Sequence, residues 1–164
     1  MSSLGNALNA QGKLNKAVVQ YNKAIANKPD YVPAHYNLGN THQGHGKDDL
    51  ALESYKAALD LKPDFGEAYW SMANLKIFEF KDSEVDSMLN ELKKESLSES
   101  EEIHFRFALG KAYEDKKDYS KAWHYYHTGN QKQRTTVDHF PVEMEMRYNP
   151  VSYTHLTLPT NREV

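Results

Sequence analysis

The sequence predicts an all-α fold, a right-handed superhelical solenoid of antiparallel helix pairs. Two observations carry that prediction: an internal repeat with a period of 34 positions, and helix-period clustering of small and apolar residues on both sides of a turn in each unit. Leu4, Gly5, Asn6, Gly12, Ala17, Tyr21, Ala24 and Pro29 recur one period later as Leu38, Gly39, Asn40, Gly46, Ala51, Tyr55, Ala58 and Pro63. So many matches in one register mark a duplicated structural unit. The register returns, displaced by a 3-residue insertion, in Leu109, Gly110, Tyr113, Asp118, Tyr119, Ala122 and Tyr126, this time without the terminal proline. Between them Met72, Ala73, Asn74, Val85, Leu89 and Leu92 keep the register with larger apolar side chains.

Each unit makes physical sense as a helical hairpin. In the first, only a few residues precede Leu4, so most of the leading helix is expected to be missing. In the second, Ala34, Leu38, Gly39 and His42 share one helical face, a turn follows around Gly44 to Lys47, and Leu50, Ala51, Ser54, Tyr55 and Ala58 share another. Small residues at Gly39, Ala51 and Ala58 let the two helices approach while Tyr55 fills the space between them. Pro29 and Pro63 cannot continue a helix, and Asp30 or Asp64 just after them is the expected cap of the next one. The third unit, around Val85 to Leu92, is expected to form a helix pair in register despite its departures. An acidic stretch from Glu95 to Glu102 lies at the insertion and reads as a solvated linker, with Ser98 or Ser100 capping the helix that carries Ile103, Phe105 and Leu109. One hairpin cannot bury its own apolar face, and stacked neighbours can. The expected organisation is repeat 1 at 1–31 with a truncated first helix, repeat 2 at 32–65, a degenerate repeat 3 at 66–99, repeat 4 at 100–136, and a linker towards a missing domain at 137–150. Residues 151–164 resemble translated sequencing-adapter read-through and are expected to be a non-native tail.

Composition excludes several function classes. The chain has 164 residues and no cysteine, so disulfides, thiolate zinc sites and thiol nucleophiles are absent. Its 20 basic and 23 acidic residues leave a net charge of -3, too small a field to favour nucleic acid or an anionic membrane. There is no apolar run of bilayer-spanning length and no signal-peptide pattern at the start, so a soluble, cytoplasmic protein is expected. Gly39, Gly44, Gly46 and Lys47 do not have the spacing of a phosphate loop, and Gly39 and Gly46 are explained by the repeat. His42 with His45, and His124 with His127, are spaced to share a helix face but lack further ligands, so no metal is expected. No nucleophile is paired with a base, so neither catalytic residues nor a cofactor is expected.

A 34-residue period with small residue, Tyr, Ala and Pro at these offsets resembles the tetratricopeptide repeat, over about residues 1–136. A narrower resemblance spans 69–134, from YWSMANLKIFEFKDSEVDSMLNEL to FALGKAYED and the Gly-Asn ending. This segment is similar to the repeat region of bacterial tetratricopeptide-sulfotransferase fusion proteins, and it includes Phe78, Phe80, Lys81 and Asn130, which the general repeat does not require. That resemblance implies the regulatory or substrate-presenting region of a sulfotransferase whose catalytic domain is absent from this chain. The alternatives are a free-standing scaffold and the repeat part of a glycosyltransferase.

In this architecture the first helix of each pair faces a concave groove. Asn6, Asn40 and Asn74 fall one period apart and are expected to form an asparagine ladder there, with Tyr36, Gln43, Trp70 and Phe78 flanking it. Amides offer both a donor and an acceptor, which suits holding the backbone of an extended peptide, and large amphipathic aromatics are typical of recognition surfaces. Trp70 and Phe78 could equally fill space between helices. The expected partner is a protein or peptide in the groove, or an adjoining catalytic domain. A chaperone-tail clamp would want Lys or Arg beside the ladder, where Ser2, Glu67 and Ser71 stand.

Overall fold

A computed structural model describes residues 2–75 and 77–137, so the expected linker beyond Val137 and the expected tail lie outside the described residues. Among the described residues there are eight α-helices and no strand. They are α1 (Ser2–Ala10), α2 (Leu14–Asn27), α3 (Val32–Gly44), α4 (Asp48–Leu61), α5 (Gly66–Ala73), α6 (Asp82–Glu91), α7 (Glu99–Asp115) and α8 (Tyr119–Val137). Consecutive helices α1 and α2, α3 and α4, and α7 and α8 pack as antiparallel pairs, and each pair leans on the next through α2 against α3 and α4 against α5.

The pairs close by one repeated contact. A Cβ built on Gly5 would stand 2.6 Å from the Tyr21 ring, one on Gly39 2.5 Å from Tyr55, and one on Gly110 2.6 Å from Tyr126. In each case the glycine lets the tyrosine of the following helix lie flat on the helix backbone, and Tyr21 and Tyr55 are buried to within 1%. In the third unit Ala73 stands where the others have glycine and Leu89 where they have tyrosine, and α5 packs on α7 rather than on α6, so this contact is not repeated there. Ala17, Ala51 and Ala58, fully buried, keep the helix axes close. Leu50, expected on this inner face, is 40% exposed, because the face is narrower than the apolar stripe of the sequence.

Helix starts differ from expectation in one respect. The N-caps of α3 and α5 are Tyr31 and Phe65, neither with a capping side chain, so Asp30 and Asp64 fall one residue too early to serve. Tyr31 and Phe65 instead donate their amides to Lys28 and Lys62, closing a turn over the proline before the helix begins. Ser98 caps α7 as expected, its Oγ accepting from the Glu101 amide at 3.2 Å.

The third unit is the irregular one. Its first helix stops at Ala73 after only 8 residues. The chain then runs through Phe78 and Phe80 before α6, and α5 packs directly on α7 rather than on α6. Tyr69 joins the two sides of this junction, its ring centroid 5.3 Å from Phe105 and 6.2 Å from Phe80. A Cβ on Gly66 would stand 2.7 Å from the Glu101 carbonyl, and Lys62 reaches Glu101 at 3.0 Å. The expected helix pair is thus present as two helices but not as a regular hairpin. One core runs from Ala51 and Tyr55 through Met72, Val85 and Met88 to Phe105 and Ala112, and a smaller one gathers Ala17, Tyr21 and Leu38.

Candidate functional site: the groove formed by the first helices

The residues expected to make the asparagine ladder lie on α1, α3 and the end of α5, and two of them serve the fold itself. Tyr21 donates its hydroxyl to Asn6 Oδ1 at 2.6 Å, and Asn37 Nδ2 donates to the same oxygen at 3.2 Å. Tyr55 OH stands 2.7 Å from Asn40 Oδ1 and 2.9 Å from Gln43 Oε1. Burial raises the Tyr55 phenol far above its ordinary value, with the charge on Tyr36 adding to the effect. In the last pair Tyr126 donates to Glu114, at the register position of Gln43, at 2.9 Å. In the first two pairs these amides hold the tyrosine through their acceptor oxygens, and Asn40 also bonds the Tyr36 hydroxyl, so Asn6 Nδ2 and the second N–H of Asn40 are what remains to offer a ligand.

Asn74 differs. It was expected inside its helix, but it is the C-cap of α5, and its Nδ2 donates to the Trp70 carbonyl at 2.8 Å. No tyrosine is available to hold it, since Leu89 takes that place, and the helix ends there. The row continues after the insertion in Lys111, which pairs with Asp115.

A second row was only half read from the sequence. Tyr36 and Trp70 are one period apart, and Phe107 follows after the period and the insertion. That register alone would have found Phe107. The Trp70 and Phe107 rings stand 5.4 Å apart. Tyr36 lies 5.7 Å from Tyr55 and 5.0 Å, edge on, from Phe65, and its hydroxyl meets Ser71 Oγ at 3.1 Å. Burial raises the Tyr36 phenol, and its hydrogen bonds to Ser71 and Asn40 oppose this. Phe78 is half-buried, T-shaped against Phe80 at 4.9 Å with Lys56 Nζ 5.4 Å from its ring, so it braces the loop after α5.

Two hollows open among these residues. One of about 410 Å³ is lined by Trp70, Ile103, His104, Phe107, Tyr126 and Gln133. His104 is one of its lining residues, and the Nδ1 of that ring is buried and without a hydrogen-bond partner. The other, about 320 Å³, lies between Asn74, Leu75 and Phe78 on one side and Lys111 and Asp115 on the other. Among the described residues no group of three or more His, Asp or Glu side chains is placed to hold a metal, and no helix is long and apolar enough to cross a membrane.

Comparison with known proteins agrees with this architecture. Residues 5–46 match the family model of the TPR repeat and residues 32–65 that of the tetratricopeptide repeat, so the chain carries tetratricopeptide repeats. Among solved structures it is similar to a MamA RS-1 ArsTM double mutant, at 20% identity over 84% of this chain and 75% of that one, with a TM-score of 0.59. Two further crystal structures of MamA match at 18% identity: one covers 81% of this chain and 96% of its own with a TM-score of 0.47, the other 84% and 92% with 0.48. At 20% identity the first of these likenesses concerns the fold alone, an all-helical tetratricopeptide solenoid. No curated protein sequence matches the chain.

Proposed function

We propose that this chain is a protein-interaction module that binds an extended peptide or loop along the face of α3, α5 and α7. The observation that carries the reading is the aromatic row of Tyr36, Trp70 and Phe107 beside amide donors of Asn6 and Asn40. Rings of this kind give contact area at small entropic cost, and amides pair with backbone carbonyls whatever the sequence. Selection from a displayed random-peptide library, followed by calorimetry, tests it. Selected peptides should lose about tenfold or more in affinity for the Trp70→Ala variant, about 1.4 kcal/mol. Binding indifferent to Trp70, or a library yielding no binder to the folded chain, would overturn the proposal.

A more specific reading is favoured by the similarity of residues 69–134 to tetratricepeptide-sulfotransferase proteins: the module would be the regulatory or substrate-presenting region of such an enzyme, in the cytoplasm. Phe80, which that resemblance includes and the general repeat does not require, is buried to 5% and shapes the junction of α5, α6 and α7. On this reading the gene continues into a strand and a Gly-rich, Arg-Ser-Gly-Thr-Thr type loop that holds the donor phosphate at a helix start. The present chain should then give no heat of binding with the sulfate donor. A reading frame that runs instead into further repeats would leave a free-standing scaffold.

A further inference from the structure

We infer that the hollow between Trp70, Ile103, Phe107, Tyr126 and Gln133 is a socket for an aromatic side chain of the bound peptide, because it corresponds to the place that Phe65 occupies two units earlier. This rests on the peptide-binding reading above and adds the ligand's chemistry to it.

The inference comes from comparing the chain with itself. After α4 the chain breaks at Pro63, and Phe65 folds back so that its ring meets Tyr36 edge on at 5.0 Å, with Lys62 Nζ 4.9 Å from the ring centroid. The first unit has the same arrangement of cation and ring, Lys28 Nζ standing 5.8 Å from Tyr31. Counting two periods and the insertion forward, Tyr36 becomes Phe107 and Lys62 becomes Gln133, and both of these line the hollow. Tyr55 becomes Tyr126, which lines it as well. What has changed is the punctuation. Arg134 stands where Pro63 stood, so α8 runs on to Val137 and the residue in the position of Phe65 is the helical Thr136. A helix that does not break cannot turn a ring back onto its own hairpin.

The hollow therefore keeps the walls of an aromatic site without, among the described residues, the ring that fills it in the second unit. Its size, about 410 Å³, is at the lower end of small-ligand sites and suits one side chain. Trp70 adds a second ring against Phe107, giving an incoming ring edge-to-face or offset contacts on two sides.

The test uses two small probes, N-acetyl-tyrosinamide and N-acetyl-alaninamide, titrated at millimolar concentration into the isotope-labelled full chain. The chain's two tryptophans provide the readout and its control. Trp70 lines the hollow, while Trp123 is 65% exposed on α8 and stacked on His127. The indole N–H signal of Trp70 should move saturably with the tyrosine amide and not with the alanine amide, and Trp123 should stay still. Gln133→Phe, at an exposed position on α8, should plug the hollow and abolish the shift while keeping the helical circular dichroism of the parent chain. Three outcomes overturn the socket: equal shifts with both probes, no shift at Trp70, or a shift that Gln133→Phe leaves unchanged. A ring from elsewhere in this chain already seated there would show as the second of these. The two proposals fail separately: library peptides that bind but carry no aromatic residue sink the socket and leave the module, whereas a Trp70 response without any peptide binder sinks the module and leaves the socket.

Discussion

At the scale of single residues, the closest fit in the molecule is between a glycine and a tyrosine. Gly39→Ala would place a methyl group 2.5 Å from the Tyr55 ring, inside van der Waals contact. Alanine gains about 1 kcal/mol of helix propensity over glycine, while overpacking costs about 1–3 kcal/mol, and the overlap here meets a buried ring that has nowhere to go. The substitution should therefore lower the urea midpoint. In a Tyr55→Leu background the same change should be neutral or stabilising, and a loss of equal size in both backgrounds would contradict the interlock. Tyr55 also makes stability depend on alkaline pH. Its folded phenol is held above the ordinary 10.0, so its contribution is complete below pH 10 and is lost as pH rises beyond that value. Tyr55→Phe should cost about 1 kcal/mol at neutral pH by unpairing Asn40 and Gln43, and should flatten the fall in stability above pH 10.

At the scale of elements, the turns within the pairs show what the sequence does and does not disclose. Gly12 and Gly46 both sit at φ +69° between the helices of their pairs, where a side chain is strained. The equivalent position before α8 is Lys117, at φ 61°. Lys117→Gly should raise the free energy of unfolding by about 0.5–1 kcal/mol, read from denaturant curves, and no gain would mean the lysine side chain offsets its strain. Regular elements were legible because their period is written directly in Leu4, Gly5 and Tyr21 and their copies. The end of α5 was not, since Asn74 keeps the register of Asn40 and only the loss of its tyrosine partner tells that it no longer faces one. Phe107 was legible in principle through the inserted register, whereas the hollow beside it depends on where α8 fails to stop. The capping role assigned to Asp30 and Asp64 missed because the turn after each proline takes one residue more than the pattern suggests.

At the scale of the whole molecule, stability is unevenly spread along the array. The first pair rests on the small core of Ala17, Tyr21 and Leu38, while α5, α6 and α7 share the large one. Stacked repeats unfold roughly as a chain of neighbour-coupled units, so the unit with the poorest interface opens first. Amides of α1 and α2 should exchange hydrogen measurably faster than those of Leu109 and Ala112 in α7 under native conditions. Uniform protection across all the helices would show instead a single cooperative block.

The direct seating of α5 on α7 also bears on how the molecule would respond to being pulled. With Lys62 held by Glu101, tension applied at the two ends passes from α4 and α5 straight into α7, and α6 lies outside the line of force. The stretch between α5 and α7 then carries no load, anchored in the core by Phe80, Val85 and Met88 and shielded by a contact between the helices on either side of it. Fully drawn out, that stretch has a contour length of roughly 85 Å, released only once α5 parts from α7. The irregular unit would act as a tether of fixed length stored in the middle of the array.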